Sequence, residues 1–153
     1  MSVNWLDLRP FNGSQHAAFE EICCQLAAAE TSPPGSRFIR KGAPDAGVEC
    51  YWTLPDESEW GWQAKFFRSP PDGSQWAQID KSVKTALEKH PRLSRYIVCL
   101  PIDRQDPRID NQQWFMDKWI SGMSASNGGR DGLAQRVWRW CSSTGEPMNS
   151  STD

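Results

Sequence analysis

A short, almost continuous apolar run at residues 95–101, RYIVCLP, sets the strongest limit on the architecture of this chain. Such a run predicts a strand that is buried on both faces of a sheet. Residues 74–90, which precede it, place apolar side chains at helical spacing, begin at the candidate N-cap Ser74 and end at His90 before a proline. Those apolar positions are Trp76, Ile79, Val83 and Leu87. A strand followed by this helix and this second strand predicts a right-handed parallel crossover.

Two segments before the crossover alternate between apolar and polar residues, as half-buried strands do. They are GVECYWTL at 47–54 and EWGWQAKFF at 59–67, with the turn-forming PDESEWG between them. Their apolar positions are Val48, Cys50, Trp52 and Leu54 in the first segment, and Trp60, Trp62, Ala64 and Phe66 in the second. The two segments predict a hairpin with a polar stripe on one side, which carries Glu49, Gln63 and Lys65.

The remaining elements complete an α/β architecture. Ser14 is a candidate N-cap for a helix reaching about Glu30, and TSPPGS at 31–36 ends that helix. A short strand is expected at RFIRK, residues 37–41. The order helix, three strands, helix, strand predicts a mixed sheet flanked by helices. We expect one domain over residues 1–122, with a last helix at 111–123, and a poorly ordered tail or linker start at 123–153.

The composition limits the class of protein. The 153 residues suffice for one compact domain. No run approaches the roughly 18 apolar residues of a membrane helix, and MSVNWLDLRP lacks the regions of a signal peptide, so we expect a cytoplasmic protein without a membrane partner. The net charge of −2 argues against purely electrostatic nucleic-acid binding. The five cysteines have the spacing of neither a disulfide framework nor a zinc site, and are expected to be buried thiols.

The polar stripe of the predicted hairpin carries the candidate catalytic residues. If the strands pair in register, Glu49, Gln63 and Lys65 converge on one patch. Asp45, in the turn-forming KGAPDAG, can add a second carboxylate at the edge of that patch. Glu20 lies at the edge of the first helix's apolar stripe and can reach over the sheet towards Lys65 or a metal.

These groups form a set suited to hydrolysis of a phosphodiester. The oxygens of Asp45, Glu49 and Gln63 can hold Mg²⁺, or Mn²⁺ in its place. The metal lowers the pKa of a bound water and offsets charge on the phosphate. Lys65 can orient or deprotonate that water, or stabilise the pentavalent centre. Taken singly, the residues have ordinary explanations: a lysine that reaches solvent, an exposed strand glutamate and a turn-forming aspartate.

Basic residues fall into two groups that are candidate contacts to DNA phosphates. The first group is Arg37, Arg40 and Lys41, and the second is Arg68, Lys81 and Lys84. The alternative for both is an ordinary solvated surface.

Four segments resemble PD-(D/E)xK nuclease domains of the Mrr restriction type, especially the version at the N-terminus of bacterial antiphage STAND NTPases (the AVAST group). They are FEEICCQLA, RKGAPDAGVECYW, GWQAKFF and QIDKSVKTALEKHPRLSRYIVCLPIDRQD, and the likeness covers roughly residues 11–110. Its most specific part is a D-x-G-[IV]-[DE] segment followed by Q-x-K. Ala46 departs from the family's usual second glycine, and Glu49 stands where many members have aspartate.

The resemblance implies the restriction-endonuclease-like αβββαβ core and Mg²⁺-dependent cutting of double-stranded DNA. It carries the motif acid to Glu49, with Asp45 beside it, the Q-x-K pair to Gln63 and Lys65, and the first-helix glutamate to Glu20. It implies an antiviral defence effector that pairs two active sites in a homo-oligomer, with a STAND NTPase sensor in cis or in trans. No NTPase module follows, so we expect an excised domain, a truncated product or a stand-alone effector.

Two other hypotheses remain open at the level of sequence. The chain can be a catalytically inactive nuclease fold that is retained for DNA binding or protein assembly. It can also be a plain α/β interaction domain, which a large separation of Glu49 from Lys65 would favour. The sequence does not distinguish DNA from RNA as the substrate.

Overall fold

The computed structural model describes residues 4–42 and 47–102, and the secondary structure in these ranges follows the predicted order. A single 3₁₀ turn at Trp5–Asp7 precedes the first helix. The helices are α1 (Gln15–Ala28) and α2 (Gly73–Lys89), and the strands are β1 (Arg37–Arg40), β2 (Cys50–Thr53), β3 (Glu59–Ala64) and β4 (Leu93–Cys99). The α/β class is therefore confirmed. The expected last helix, the domain boundary near residue 122 and the tail lie outside the described residues.

The four strands form one mixed sheet in the order β1-β2-β3-β4. β1 pairs with β2 and β2 with β3 in antiparallel fashion, whereas β3 and β4 run parallel. The parallel pair requires a crossover, which α2 supplies between the two strands. The β2–β3 hairpin, predicted from alternating apolar residues, is present. The crossover through α2, predicted from helical spacing and the apolar run after it, is present too.

Each face of the sheet is covered by one helix. On the first face, Phe19, Cys23 and Ala27 of α1 pack with Trp62 and Ala64 of β3. On the other face, α2 packs with the alternate residues of β4. The α2-facing core contains Trp76, Ile79, Val83 and Ala86, together with Tyr96 and Val98 of β4. A strand with apolar residues on both sides is the expected consequence of burial between two layers.

The helix caps show one correct and one wrong prediction. Ser14 is the N-cap of α1, where its side chain accepts a hydrogen bond from the N–H of Ala17. The predicted cap of α2, Ser74, is wrong, because Asp72 occupies that position. The Asp72 carboxylate accepts from the N–H of Gln75, and the Gln75 side chain accepts from the N–H of Asp72, which is a capping box. The cap therefore lies two residues before the predicted one, and the helix begins at Gly73.

The strands are shorter than their alternation indicates. β2 begins at Cys50, and β3 ends at Ala64, so Lys65 lies immediately beyond the strand. Val48 was expected on the face of Cys50 but lies in the α2-facing core, so that assignment is wrong. The reason is that the chain turns at Gly47, where φ is +82°, and period-two alternation holds only within a strand.

Four cysteines lie within the described residues, and all four are buried free thiols, as predicted. Cys24 and Cys50 form a close pair in the α1-facing core. The hydrogen bond with Cys24 and the burial of the site both raise the pKa of the Cys50 thiol, so it stays protonated. Cys141 lies outside the described residues.

Neither α1 nor α2 has the length and apolar character needed to cross a membrane, and this statement covers residues 4–42 and 47–102 only.

Candidate functional site

The structure brings Glu49 and Gln63 into direct contact. The β2–β3 register pairs Cys50 with Trp62, and the N–H of Glu49 donates to the carbonyl of Trp62 at 2.7 Å. Because Trp62 and Ala64 face α1, the side chain of Gln63 between them points to the α2 side. There its Nε2 donates a short hydrogen bond to Oε1 of Glu49. The in-register pairing on which the convergence of these two residues depends is therefore present.

This contact is buried, although the sequence pattern left the polar stripe open to solvent. The side chain of Glu49 is 7% exposed and that of Gln63 is 1% exposed. The ordinary explanation of Glu49 as an exposed strand residue does not fit this environment. A buried carboxylate requires hydrogen bonds or an opposite charge to offset its lost hydration. Gln63 supplies one such hydrogen bond.

Gln63 has an oxygen that is available for a ligand. Its Nε2 donates to Glu49 and to the carbonyl of Ala64 at 3.3 Å. Its Oε1 is buried and has no hydrogen-bond partner in the part of the chain that the structure describes. A buried acceptor without a partner costs about 1–3 kcal/mol. Rotation of the amide would turn this oxygen towards Glu49, so that both side chains would present oxygen to a cation.

Lys65 lies on the same side, at the wall of a cavity. Its N–H donates to the carbonyl of Cys99 at 3.0 Å, which continues the parallel pairing one residue past β3. Its side chain lines a cavity of about 270 Å³ between the sheet and α2. The other lining residues are Gly47, Gln78, Lys81, Ser82 and Thr85. The third residue of the predicted stripe therefore faces a polar space that is bounded by α2.

Gly47 determines how closely α2 approaches this site. A Cβ at this position would lie 2.6 Å from both the backbone N of Ala86 and the backbone O of Ser82. The Gly47 carbonyl accepts a hydrogen bond from the hydroxyl of buried Tyr96 at 2.7 Å. The loop that leads into Glu49 is thus held between α2 and β4. Only glycine combines this close contact with a φ of +82° at little cost.

Asp45 and Glu20 are the two remaining candidate acids. Asp45 lies outside the described residues. Glu20 lies on α1, which covers the opposite face of the sheet, and its charge contributes to raising the pKa of Arg40 after the larger effect of Glu21. Within residues 4–42 and 47–102, no hydrogen bond or ion pair joins Glu20 to Lys65. The reach of Glu20 across the sheet stays a prediction.

The candidate DNA-contacting residues are dispersed. Arg37 and Arg40 lie on β1, where Arg40 forms an ion pair with Glu21 at 2.5 Å, and its hydrogen bond lowers the pKa of Glu21. The N–H of Lys41 donates to the carbonyl of Glu49. Arg68 donates to Oε1 of Gln15 at 3.1 Å. Of the two candidate lysines on α2, both are exposed, and Lys81 lines the cavity whereas Lys84 lies outside its lining.

Three cavity residues were missed from the sequence: Gln78, Ser82 and Thr85. With Lys81 they occupy positions i, i+3, i+4 and i+7, which form one face of a helix. Gln78 is exposed on the solvent side of α2, as its angle from the apolar stripe predicts, and it also lines the space beside Lys65. A polar stripe with a regular helical period was the signal that could have identified these cavity residues.

Among residues 4–42 and 47–102, no group of three or more His, Cys, Asp or Glu side chains is placed to hold a metal ion. The described part of the site offers one carboxylate, from Glu49, and one amide oxygen, from Gln63. These are hard oxygen donors of the kind that Mg²⁺ accepts while it retains several waters. The two donors therefore fit Mg²⁺ as a partial ligand set.

Comparison with known proteins finds no matching family model, no matching curated protein and no matching solved structure.

Proposed function

We propose that the chain is a metal-dependent endonuclease that hydrolyses phosphodiester bonds in double-stranded DNA. The observation that carries the proposal is the buried contact between Glu49 and Gln63, next to Lys65 and its polar cavity. Burial of a carboxylate and an amide between a sheet and a helix costs free energy of desolvation. Their burial is better explained by a ligand that both groups bind.

Glu49 and Gln63 would hold Mg²⁺, with Mn²⁺ as a substitute, and Asp45 is a further proposed ligand from the sequence. The bound metal would supply an activated water and positive charge next to the phosphate. Gln63 is suited to its role because its Oε1 is already desolvated and lacks a hydrogen bond among the described residues. Glu49 would exchange its hydrogen bond from Gln63 for the cation.

Lys65 would contact the reacting phosphate. Its side chain is half-buried, and it forms no ion pair with any described residue. An ammonium in this partly desolvated position can hold the attacking water or stabilise negative charge on the phosphate oxygens. The backbone N–H of Lys65 donates to β4, and this hydrogen bond fixes the backbone position from which the lysine side chain extends.

The restriction-endonuclease-like assignment, with its role as an antiphage effector, is part of this proposal. It is supported by the αβββαβ order, by the sheet with its parallel β3–β4 pair and by the meeting of the motif acid with the Q-x-K glutamine. Pairing of two active sites in a homo-oligomer, and a STAND NTPase sensor as partner, follow from the resemblance alone.

The test is cleavage of supercoiled plasmid by the full chain with Mg²⁺ and with EDTA. We expect Mg²⁺-dependent cutting that falls at least a hundredfold in Lys65→Ala and in Glu49→Gln, as the loss of general acid–base or charge-stabilising groups typically does. Lys89→Ala is the matched control, because Lys89 is an exposed lysine at the other end of α2. Equal cutting by wild type and Lys65→Ala would refute the proposal.

One observation favours a second function, an inactive nuclease fold that binds DNA or assembles with other proteins. The described part of the site contains a single carboxylate, so the ligand set for a metal is incomplete there. This alternative predicts DNA retention or oligomer formation that neither EDTA nor Lys65→Ala alters. Gel-shift and sedimentation measurements on the same variants distinguish the two functions.

A further inference from the structure

The cavity between Lys65 and α2 has the lining of an anion site. Two lysines, Lys65 and Lys81, line it together with Ser82, Thr85 and Gln78. Among residues 4–42 and 47–102, no carboxylate belongs to this lining. The charged groups that these residues contribute to the cavity wall are therefore positive, and the neutral groups can all donate hydrogen bonds.

The two lysines also lack counter-ions in the described part of the chain, where neither forms an ion pair. Like charges that share one cavity repel each other, and an anion between them removes that repulsion. Hydroxyl donors next to the ammonium groups add directional hydrogen bonds, which an unspecific basic surface does not offer. The combination fits a phosphate group better than a carboxylate, because a phosphate has more acceptor oxygens for these donors.

The cavity is open to solvent along α2, where Gln78 and Lys81 are exposed, and its size allows a group larger than a single ion. Its volume of about 270 Å³ corresponds to roughly nine waters at ~30 Å³ each. A phosphate with part of its sugar fills such a space. The helical face of α2 that lines it extends from Gln78 to Thr85, which is about 10 Å along the helix axis at ~1.5 Å per residue. A strand backbone can therefore run along this face.

We propose that this cavity is a subsite for one backbone phosphate of the DNA strand, distinct from the phosphate that is cut at Glu49 and Gln63. Lys81 and Thr85 are its specific contacts, and Lys65 lies between the two phosphates. The inference rests on the proposed function in that DNA is its ligand. The proposal assigns a phosphate contact to Lys81 and none to Lys84, although the sequence analysis placed both lysines in one group of candidate phosphate contacts.

The test measures binding rather than cleavage. Fluorescence anisotropy of a labelled short duplex, with the full chain in EDTA, gives the dissociation constant across a series of salt concentrations. We expect Lys81→Gln to weaken binding and to reduce the slope of log K against log salt by about 0.9, the value for one lost phosphate contact. Thr85→Val removes a hydrogen bond to a charged group and should weaken binding roughly tenfold with the salt slope unchanged.

Lys89→Gln is the control for the loss of one positive charge, because Lys89 is exposed, adjacent to Glu88 and two turns away from Lys81. Its salt slope should equal that of wild type. A slope that falls equally in Lys81→Gln and Lys89→Gln would overturn the subsite, because both lysines would then act only through net charge. If Thr85→Val and Lys81→Gln each bind the duplex as tightly as wild type, the subsite is also overturned.

A second arm uses inorganic phosphate alone and follows thermal unfolding. If Lys81→Gln and Thr85→Val abolish stabilisation by phosphate but leave duplex binding unchanged, the cavity serves a free phosphate compound, and the strand assignment is overturned. Wild-type protein that fails to bind the duplex also overturns it. Duplex binding with the expected variant pattern, but without plasmid cutting in Mg²⁺, supports the subsite and counts only against the nuclease.

Discussion

Replacement of Gly47 by alanine tests whether α2 is held against the loop that leads into Glu49. The new Cβ would lie 2.6 Å from the backbone N of Ala86 and 2.6 Å from the backbone O of Ser82. Both are main-chain atoms within α2, so they cannot move aside as the end of a flexible side chain can. The residue also has a φ of +82°, which an L-residue adopts only at a cost.

The conformational cost and the crowding cost of the new Cβ add to give the expected loss of unfolding free energy. The left-handed conformation costs roughly 1–2 kcal/mol for a residue with a Cβ. Overpacking of a rigid contact costs typically 1–3 kcal/mol. Gly47→Ala should therefore lower the free energy of unfolding by about 2–5 kcal/mol. This is a large part of the 5–15 kcal/mol that stabilises an ordinary domain.

Other glycines of this chain separate the two effects. Gly13 has a φ of +82° with nothing within 4 Å of a Cβ, so Gly13→Ala reports the conformational cost alone. At Gly61 the φ is ordinary, but a Cβ would lie 2.9 Å from Cδ1 of Leu93, so Gly61→Ala reports crowding alone. Gly73, the first residue of α2, has neither feature, and Gly73→Ala should be neutral or stabilising by up to about 1 kcal/mol.

Urea unfolding followed by circular dichroism gives the free energy and the m value of each variant. The expected order of destabilisation is Gly47→Ala, then Gly13→Ala and Gly61→Ala, then Gly73→Ala. A loss in Gly47→Ala that is no larger than the loss in Gly13→Ala would refute the reasoning. It would mean that α2 moves away from the loop at little cost. A changed m value would indicate that the unfolding reaction itself differs.

Two further predictions concern the site and the cap of α2. Gln63→Glu places a second carboxyl beside Glu49, and it should lower the unfolding free energy in EDTA by up to about 4 kcal/mol, the cost of protonating an ordinary carboxyl at pH 7. Mg²⁺ should restore much of the thermal stability, and equal melting temperatures with Mg²⁺ and EDTA would contradict the metal assignment. Hydrogen bonds from the Gln75 N–H and the Ser74 hydroxyl lower the pKa of Asp72. A lowered folded-state pKa stabilises the protein above the unfolded value of about 3.9, and this contribution is lost as the pH falls through the folded-state pKa. Denaturation at pH 7 and pH 3 should therefore show a smaller pH dependence in Asp72→Asn, which keeps the cap, and an unchanged dependence would exclude Asp72 as its source.

The order of the elements could be predicted because it depends on local periodicity. The 3.6-residue period of α1 and its cap at Ser14 located that helix to within about two residues. The boundaries of β2 and the face of Val48 could not be predicted in the same way. They depend on the turn at Gly47, whose conformation is set by contacts with α2 and β4. The cap of α2 was missed because two neighbouring residues, Asp72 and Ser74, have equally suitable side chains.

The sequence by itself determined that Gln63 and Lys65 share a face, and it predicted Glu49 on the same side of the neighbouring strand. Side-chain alternation in a strand is a local property and needs no knowledge of the rest of the chain. Only the tertiary structure decided what covers that face. The packing of α2 buries Glu49 and Gln63, leaves Gln63 Oε1 without a described partner and adds Lys81, Ser82 and Thr85 to the space above Lys65. That packing depends on contacts between residues far apart in the chain, such as Gly47 with Ala86, and a pattern read over a few residues does not contain them.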